Sequence, residues 1–394
     1  MTPFKHQLEI AKKGYETLKE LGWLYLAMEE RTGKTLTALL IAEQSKASKV
    51  LILTKKAALQ GWEETLRRWG GATKPYTLMN YHSCDKAVGV YDLIILDEAH
   101  SSGLATYPKP GGIYKKVRKL THDAPVIFLS ASPYAESLSQ LYPQLNLTKY
   151  SPFRAFATFY TWFASFGIPT QKRIGARLIM QYNQVKKEEV LRAVESGFIR
   201  YTRKDLGFEH EPEDVKHYIE LASETKARYN ELMKKEMLFV GGEVYAADAP
   251  IKLRAGLYQI EGGTLKLGGK SLVLGNTEKI DYIKANFSVD VAIMANFVAE
   301  QELLRKHFTN VYSATAHAEA IDLSHIKDLV IYSMNFSTAQ FIQRRARQAN
   351  KHREDPIRVH FLLVENAVSE QVYETVAVKK QNFTRDCFER VALC

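Results

Sequence analysis

Four short apolar runs, at 23–27, 49–53, 92–96 and 125–129, recur through the first 135 residues with polar or amphipathic stretches of helix length between them. Runs of this length without alternation suit parallel strands buried on both faces, so the spacing predicts an α/β domain. Residues 4–20 carry helical periodicity ahead of the first run. The runs at 49–53, 92–96 and 125–129 pass directly into Thr54-Lys55, Asp97-Glu98 and Ser130-Ala131-Ser132. In an open parallel sheet the ligand crevice lies beyond the carboxyl ends of the strands, so these polar residues are expected to converge.

Residues 150–198 break the rhythm: the aromatic stretch FRAFATFYTWFASF precedes the basic segment QKRIGARLIM and a helical pattern near 186–195, and together these suggest a helical insertion. The aromatics recur every three or four residues, the spacing of a helix core more than of a base-stacking platform. One long helix is expected over 222–240, after which strands resume at SLVLG, VAIMANF, LVIYS and VHFLLV. The expected division is a first lobe at 1–210 and, at 211–394, linking helices and a second α/β lobe, with a cleft between them. At 394 residues, two domains suit the chain length.

The segment LAMEERTGKT, 26–35, joins a strand to the helix TLTALLIAEQ. Backbone amides at such a turn cradle phosphates, so Thr32, Gly33, Lys34 and Thr35 form a candidate nucleotide site in which Lys34 reaches the β and γ phosphates and Thr35 holds magnesium. Met28 stands where the phosphate-loop pattern has its first Gly. The bland alternative is a chance GKT in a turn. YDLIILDEAH, 91–100, supplies the companion acids: Asp97 to hold magnesium and Glu98 to orient and deprotonate the attacking water.

With these motifs in place, the chain resembles a superfamily 2 helicase or translocase, most closely the Swi/Snf-type branch in its short phage and bacterial versions. The resemblance runs through TPFKHQLEIA, LILTKKAALQGWEETLRRW, LMNYHS, LSASPY, FIRYTRKDL, LRAGLYQIEGG, VAIMANFVAEQELL and QFIQRRARQ, in that order. It implies two RecA-like lobes with an interlobe ATP cleft, an adenine contact at Gln7, strand-gripping residues at Thr54, Lys55 and Lys56, and coupling of hydrolysis to lobe closure through Ser130 and Ser132. Gln340, Arg344 and Arg347 match Q-x-x-x-R-x-x-R. The i, i+3 spacing puts both arginines on one helix face toward the cleft and the γ phosphate, leaving Arg345 elsewhere. AIDLS resembles motif V, with Asp322 as its candidate residue, and the interval from VAIMANF to AIDLS is short for the family's extra strand and helix. Arg31 stands where the branch usually has Gly.

A formal net charge of +10 favours a polyanionic partner. Between Lys149 and Lys204 eleven Lys or Arg face Glu188, Glu189 and Glu195, which is 11 − 3 = +8. Arg173, Arg177, Lys186 and Lys187 are the candidate phosphate contacts there; the alternative is a solvated face. No run is apolar enough to cross a bilayer, and three unpatterned cysteines suit the cytosol rather than a zinc or disulfide framework. The expected function is an ATP- and magnesium-dependent helicase or translocase on duplex or branched DNA. An RNA helicase is the alternative within that class, and a non-hydrolysing ATP-binding structural or regulatory module the alternative outside it.

Overall fold

The computed structural model describes residues 2–134, 137–174, 177–207, 212–314, 326–338, 341 and 358–379. The chain divides into two compact units, Met1–Gly207 and Phe208–Cys394.

The first unit is built on six parallel strands: β1 (Trp23–Met28), β2 (Val50–Thr54), β3 (Tyr76–Asn80), β4 (Leu93–Asp97), β5 (Val126–Leu129) and, after a two-stranded excursion, β8 (Phe198–Tyr201). Their order is β3-β2-β4-β5-β1-β8, and every pairing is parallel. All five residues of β2 and of β4 are buried, which is why these strands read as continuous apolar runs. Alternate residues serve opposite faces. Val50 and Ile52 pack with α1 (Lys5–Leu21) and α2 (Lys34–Gln44), whereas Leu51 and Leu53 pack with α4 (Gly112–Thr121) on the other side. A Leu or Ile fully buried in this way contributes about 1.5–3 kcal/mol relative to exposure. Helix α3 (Leu59–Trp69) turns its one buried residue, Trp62, inward.

The 150–198 segment, expected to be a helical insertion, also contains strands. After α5 (Leu141–Leu145), the short helices α6 (Phe159–Phe166) and α7 (Lys187–Val194) flank an antiparallel hairpin, β6 (Thr170–Ile174) and β7 (Arg177–Gln181). The basic QKRIGARLIM supplies the strands of that hairpin: Gly175 makes the sequence a poor helix, and Met180, Ile179 and Leu178 lie across from Gln171, Lys172 and Arg173. Phe153, Phe159, Trp162 and Phe163 are buried in the core, as their spacing predicts.

The second unit carries five parallel strands, β9 (Glu213–Tyr218), β14 (Ala292–Ala295), β15 (Val311–Ser313), β16 (Asp328–Ile331) and β17 (Arg358–Leu363), in the order β15-β14-β16-β17-β9. The helix expected over 222–240 ends early. Helix α8 (Ser223–Lys235) stops at Glu236, which takes φ 54°, and Met237–Val240 and Glu243–Ala246 form the hairpin β10–β11 around Gly241-Gly242. Paired glycines at positive φ (62° and 81°) are the turn such a hairpin requires. The SLVLG run likewise lies in an antiparallel pair, β12 (Thr264–Leu267) with β13 (Lys270–Val273), outside the parallel sheet. The unit also carries helices α9 (Pro250–Glu261), α10 (Glu278–Asn286), α11 (Val298–Leu304) and α12 (Val368–Tyr373), the last running on into a π-helical turn, Glu374–Val378. In the interval between VAIMANF and AIDLS the structure describes α11 and β15, and residues 315–325 lie outside the described residues.

Candidate active site

The ends of β1, β4 and β5 lie side by side, with Leu129 opposite both Leu26 and Asp97. The residues that leave these strands therefore meet at one edge. The loop after β1 turns through Thr32, whose hydroxyl donates to the Glu29 carbonyl at 2.7 Å, and reaches Gly33, the N-cap of α2. Gly33 has φ 84°, and a Cβ there would stand 2.2 Å from Gln7 Nε2, so both backbone and space require glycine. Arg31 also has positive φ, 64°. The non-glycine residue therefore keeps the left-handed conformation that glycine adopts more readily, at a cost of about 1–2 kcal/mol.

Lys34 and Thr35 open helix α2, where free amides and the helix dipole favour an anion. The Lys34 ammonium donates to Glu98 Oε1 at 3.0 Å, joining the ends of two separate strand–loop units, with the two side chains 13% and 17% exposed. Burial opposes the charge on Lys34, but Glu98, Glu30 and Asp97 together hold it protonated well above the usual lysine range. Burial likewise works against the Glu98 carboxylate, and Lys34 and His100 overcome it and pull the pKa down to about 2. Lys55, half-buried after β2, acts in the same direction. Glu98 itself has φ 49°. A non-glycine residue held in that region costs about 1–3 kcal/mol, and such strain clusters at functional sites.

Asp97 is fixed from three sides. Its Oδ2 accepts from Thr54 Oγ1 at 2.7 Å and from Trp62 Nε1 at 2.8 Å, while its carbonyl accepts from Tyr81 OH at 2.6 Å. Burial, and then the charge of Glu98, push its pKa up, against the pull of Lys34 and the two donors. Thr54, one of the three residues to which the resemblance gives a strand-gripping role, is buried with its hydroxyl donated to Asp97; of the other two, Lys55 is half-buried and Lys56 exposed. Gln7, expected at the adenine, is 3% exposed and braces the loop between β1 and α2: its Oε1 accepts from Phe4 N at 2.8 Å and its Nε2 donates to the Gly33 carbonyl at 3.0 Å.

Ser130 and Ser132 are joined to the acids through His100. Ser130 Oγ lies 2.7 Å from His100 Nδ1 and accepts from Ser132 N at 2.9 Å, and the same His100 nitrogen is 3.3 Å from Glu98 Oε2. Two residues of the site that the sequence patterns do not single out are His100, the last letter of DEAH, and Trp62, the one buried residue of α3, whose indole N–H needs a partner. His6 donates from Nε2 to the Thr32 carbonyl at 3.0 Å, and Glu29 accepts from Arg203 N at 2.8 Å. Glu30 faces the same group of charges. Burial raises its pKa, and its Oε1 is buried with no hydrogen-bond partner among the described residues. Two consecutive acids, Glu29-Glu30, in the loop ahead of Gly33 are the sequence signal that could have found them.

The hydroxyl of Thr35 and the Asp97 carboxylate are the hard oxygen donors magnesium takes, completed in such sites by phosphate oxygens and water. Among the described residues no three His, Cys, Asp or Glu side chains group as a metal cluster, and a site of this kind does not need one. Arg173, Lys186 and Lys187 are exposed, Lys186 lying 3.6 Å from Glu189; the side chain of Arg177 lies outside the described residues. So do Asp322, Gln340, Arg344, Arg345 and Arg347. No helix among the described residues is long and apolar enough to cross a membrane. No family model matches this chain, and no curated protein matches it.

Proposed function

We propose that the protein is an ATP- and magnesium-dependent motor of the superfamily 2 type, with two RecA-like lobes, that hydrolyses ATP to move along or remodel duplex or branched DNA. The observation that carries this reading is the Lys34–Glu98 pair, which brings the end of the phosphate loop and the end of the acidic strand within one hydrogen bond.

The pair also suggests how turnover is kept waiting for substrate. With Lys34 against it, Glu98 has a pKa of about 2 and is too weak a base to take a proton from water. ATP would draw the Lys34 ammonium to its β and γ phosphates. Glu98 would then lose its principal cationic partner, and burial would raise its basicity. The carboxylate thus becomes an effective base only when the phosphate is in place. Magnesium held by Thr35 and Asp97 would neutralise charge developing on the phosphates. The contact from Glu98 to His100 and Ser130 offers a route by which this exchange reaches the segment after β5.

The test is ATP turnover with duplex DNA, single-stranded DNA, branched DNA and RNA in turn. Duplex or branched DNA is expected to stimulate most. Greatest stimulation by RNA would favour the RNA helicase, and bound ATP without turnover under every condition would favour the non-hydrolysing module.

A further inference from the structure

A cavity of about 320 Å³ lies in the first unit between the loop that leads into α4, α4 itself and the segments around α5 and α6. That volume is near the lower bound of ligand pockets, about 300–1,000 Å³. Its wall is aromatic, built from Tyr107, Tyr114, Tyr142, Phe159 and Tyr160. Tyr107 stacks on Phe159 with ring centroids 5.3 Å apart, Tyr142 meets Phe159 edge-on at 5.8 Å, and Tyr160 is 45% exposed. Lys109 and Arg118 line the same cavity and are exposed.

Buried tyrosines normally find a partner for the hydroxyl. Tyr142 does: it donates to the Phe156 carbonyl at 2.9 Å and accepts from Asn146 Nδ2 at 3.2 Å. Tyr114 is 5% exposed, yet its hydroxyl makes no hydrogen bond among the described residues. Burial pushes its pKa up to about 12, which keeps the hydroxyl protonated and able to donate. Arg118 follows four residues later on α4 and so shares the face of Tyr114. Its Nε donates to the Asn146 carbonyl at 3.2 Å, which steadies the guanidinium and leaves its outer nitrogens without a partner among the described residues. No carboxylate lines the cavity, and residues 101–122 and 137–187, which supply its lining, hold no Asp or Glu. Asp85 pairs with Lys116, which is not part of the lining.

We propose that this cavity binds a nucleotide, its base against the tyrosine rings, a base acceptor on the Tyr114 hydroxyl and its phosphate on the Arg118 guanidinium. A cationic rim without acids selects an anion, and arginine's planar fork matches phosphate oxygens. An aromatic wall selects a planar ring, and every base has a face that stacks on one. A nucleoside phosphate meets both demands at once. None of these residues belongs to the candidate active site, so the assignment goes beyond the motor reading and does not rest on it. A free nucleotide and an unpaired nucleotide of a strand present the same chemistry.

The experiment measures binding of thymidine monophosphate, thymidine, inorganic phosphate and a single-stranded oligothymidylate to the full chain, with a non-hydrolysable ATP analogue present to fill the candidate active site. Wild type is compared with Arg118→Gln, Tyr160→Ser and Tyr114→Phe; Arg118 and Tyr160 are exposed, so their variants should fold. Wild type should bind the monophosphate about tenfold or more tightly than thymidine or phosphate alone, the effect of a hydrogen bond to a charged group. Arg118→Gln should remove that margin and leave thymidine binding unchanged. Tyr160→Ser should weaken monophosphate and thymidine alike by about tenfold, as loss of a stacking ring does. Tyr114→Phe should weaken both by about threefold, the effect of one neutral hydrogen bond. Competition by the oligothymidylate would identify a strand as the source, and its absence a free nucleotide. Equal binding of monophosphate and thymidine by wild type, monophosphate no tighter than inorganic phosphate, or wild-type monophosphate binding by Arg118→Gln would overturn the assignment. Failure of the ATP analogue to bind would instead count against the motor reading, and the thymidine series would still decide the cavity.

Discussion

The two units each bury a lysine among glutamates, and they treat the charges in opposite ways. In the first unit Lys34 touches Glu98 at a site with 13–17% side-chain exposure, and the pair is held ionised: lysine up, glutamate down to about 2. In the second unit Glu261, Lys279 and Glu300 are 1%, 2% and 0% exposed. There burial dominates, raising both glutamates to about 7 and lowering Lys279. Glu261 accepts from Val368 N at 2.9 Å at the start of α12, Lys279 donates to the Tyr332 carbonyl at 3.3 Å, and Glu300 accepts from the Ser333 hydroxyl. Those partners are mainly neutral groups. The same residue types therefore make a charged, accessible site where a cation touches the acid, and a polar core with its acids partly protonated at neutral pH where burial prevails.

The largest effect should come from removing the cation of the first site. Lys34→Ala leaves Glu98, Asp97 and Glu30 without their shared partner and is expected to abolish measurable ATP turnover and weaken nucleotide binding. Turnover near wild type would mean the loop is not a phosphate loop. Arg344→Ala and Arg347→Ala should each cut turnover by about 10²-fold or more, as loss of a group that stabilises transition-state charge does. Arg345→Ala should be nearly silent, and equal damage from all three would refute the helix phase read from the sequence.

Next comes stability against pH, where the two sites should have opposite slopes. Glu98 has a folded pKa below its ordinary 4.5, so its contribution is present above 4.5 and lost as pH falls toward 2. Glu261 and Glu300 have folded pKa values of about 7, so their contribution is present below 4.5 and lost as pH rises through 7; Lys279 acts on the alkaline side. Each raised glutamate accounts for about 3 kcal/mol across that window, as an order of magnitude. Hydrogen exchange in β14 and β16 should therefore quicken between pH 4.5 and 7 beyond its intrinsic pH dependence, and Glu300→Gln should flatten that slope. An unchanged slope in the variant would show that Glu300 does not carry the proton. The smallest effect is expected at Arg31, where Arg31→Gly relieves φ 64° and should raise stability by about 0.5–1 kcal/mol in denaturant unfolding; a loss of stability would show that contacts of the arginine outweigh the strain.

Much of the first unit was legible because β1, β2, β4 and β5 are buried on both faces and leave uninterrupted apolar runs ending in polar residues. The Lys34–Glu98 contact follows from that pattern together with parallel register. The hairpins were not legible in the same way. In β6–β7 both strands carry exposed residues, so no apolar alternation marks them, and in β10–β11 the good helix formers Glu236, Met237 and Leu238 carry the helical pattern on past α8 before Phe239-Val240 and Gly241-Gly242. The polar β9 escaped for a related reason: it is an edge strand, and EDVKHY has no apolar run. Within the site, spacing located the acids and the lysine but not what holds them. Thr54, Trp62 and Gln7 are committed to other parts of the site through contacts across 43, 35 and 26 residues of sequence, which local patterns do not encode.

The most direct measurement is on Glu98→Gln, assayed for binding of labelled ATP and for its turnover with and without duplex DNA. The substitution keeps the side chain's shape and removes its charge and basicity. ATP should remain bound while turnover falls about 10²- to 10⁴-fold, the range for loss of a general base. Turnover near the wild-type rate would show that Glu98 is not the base, and that the Lys34–Glu98 pair is a structural ion pair rather than the centre of an ATPase.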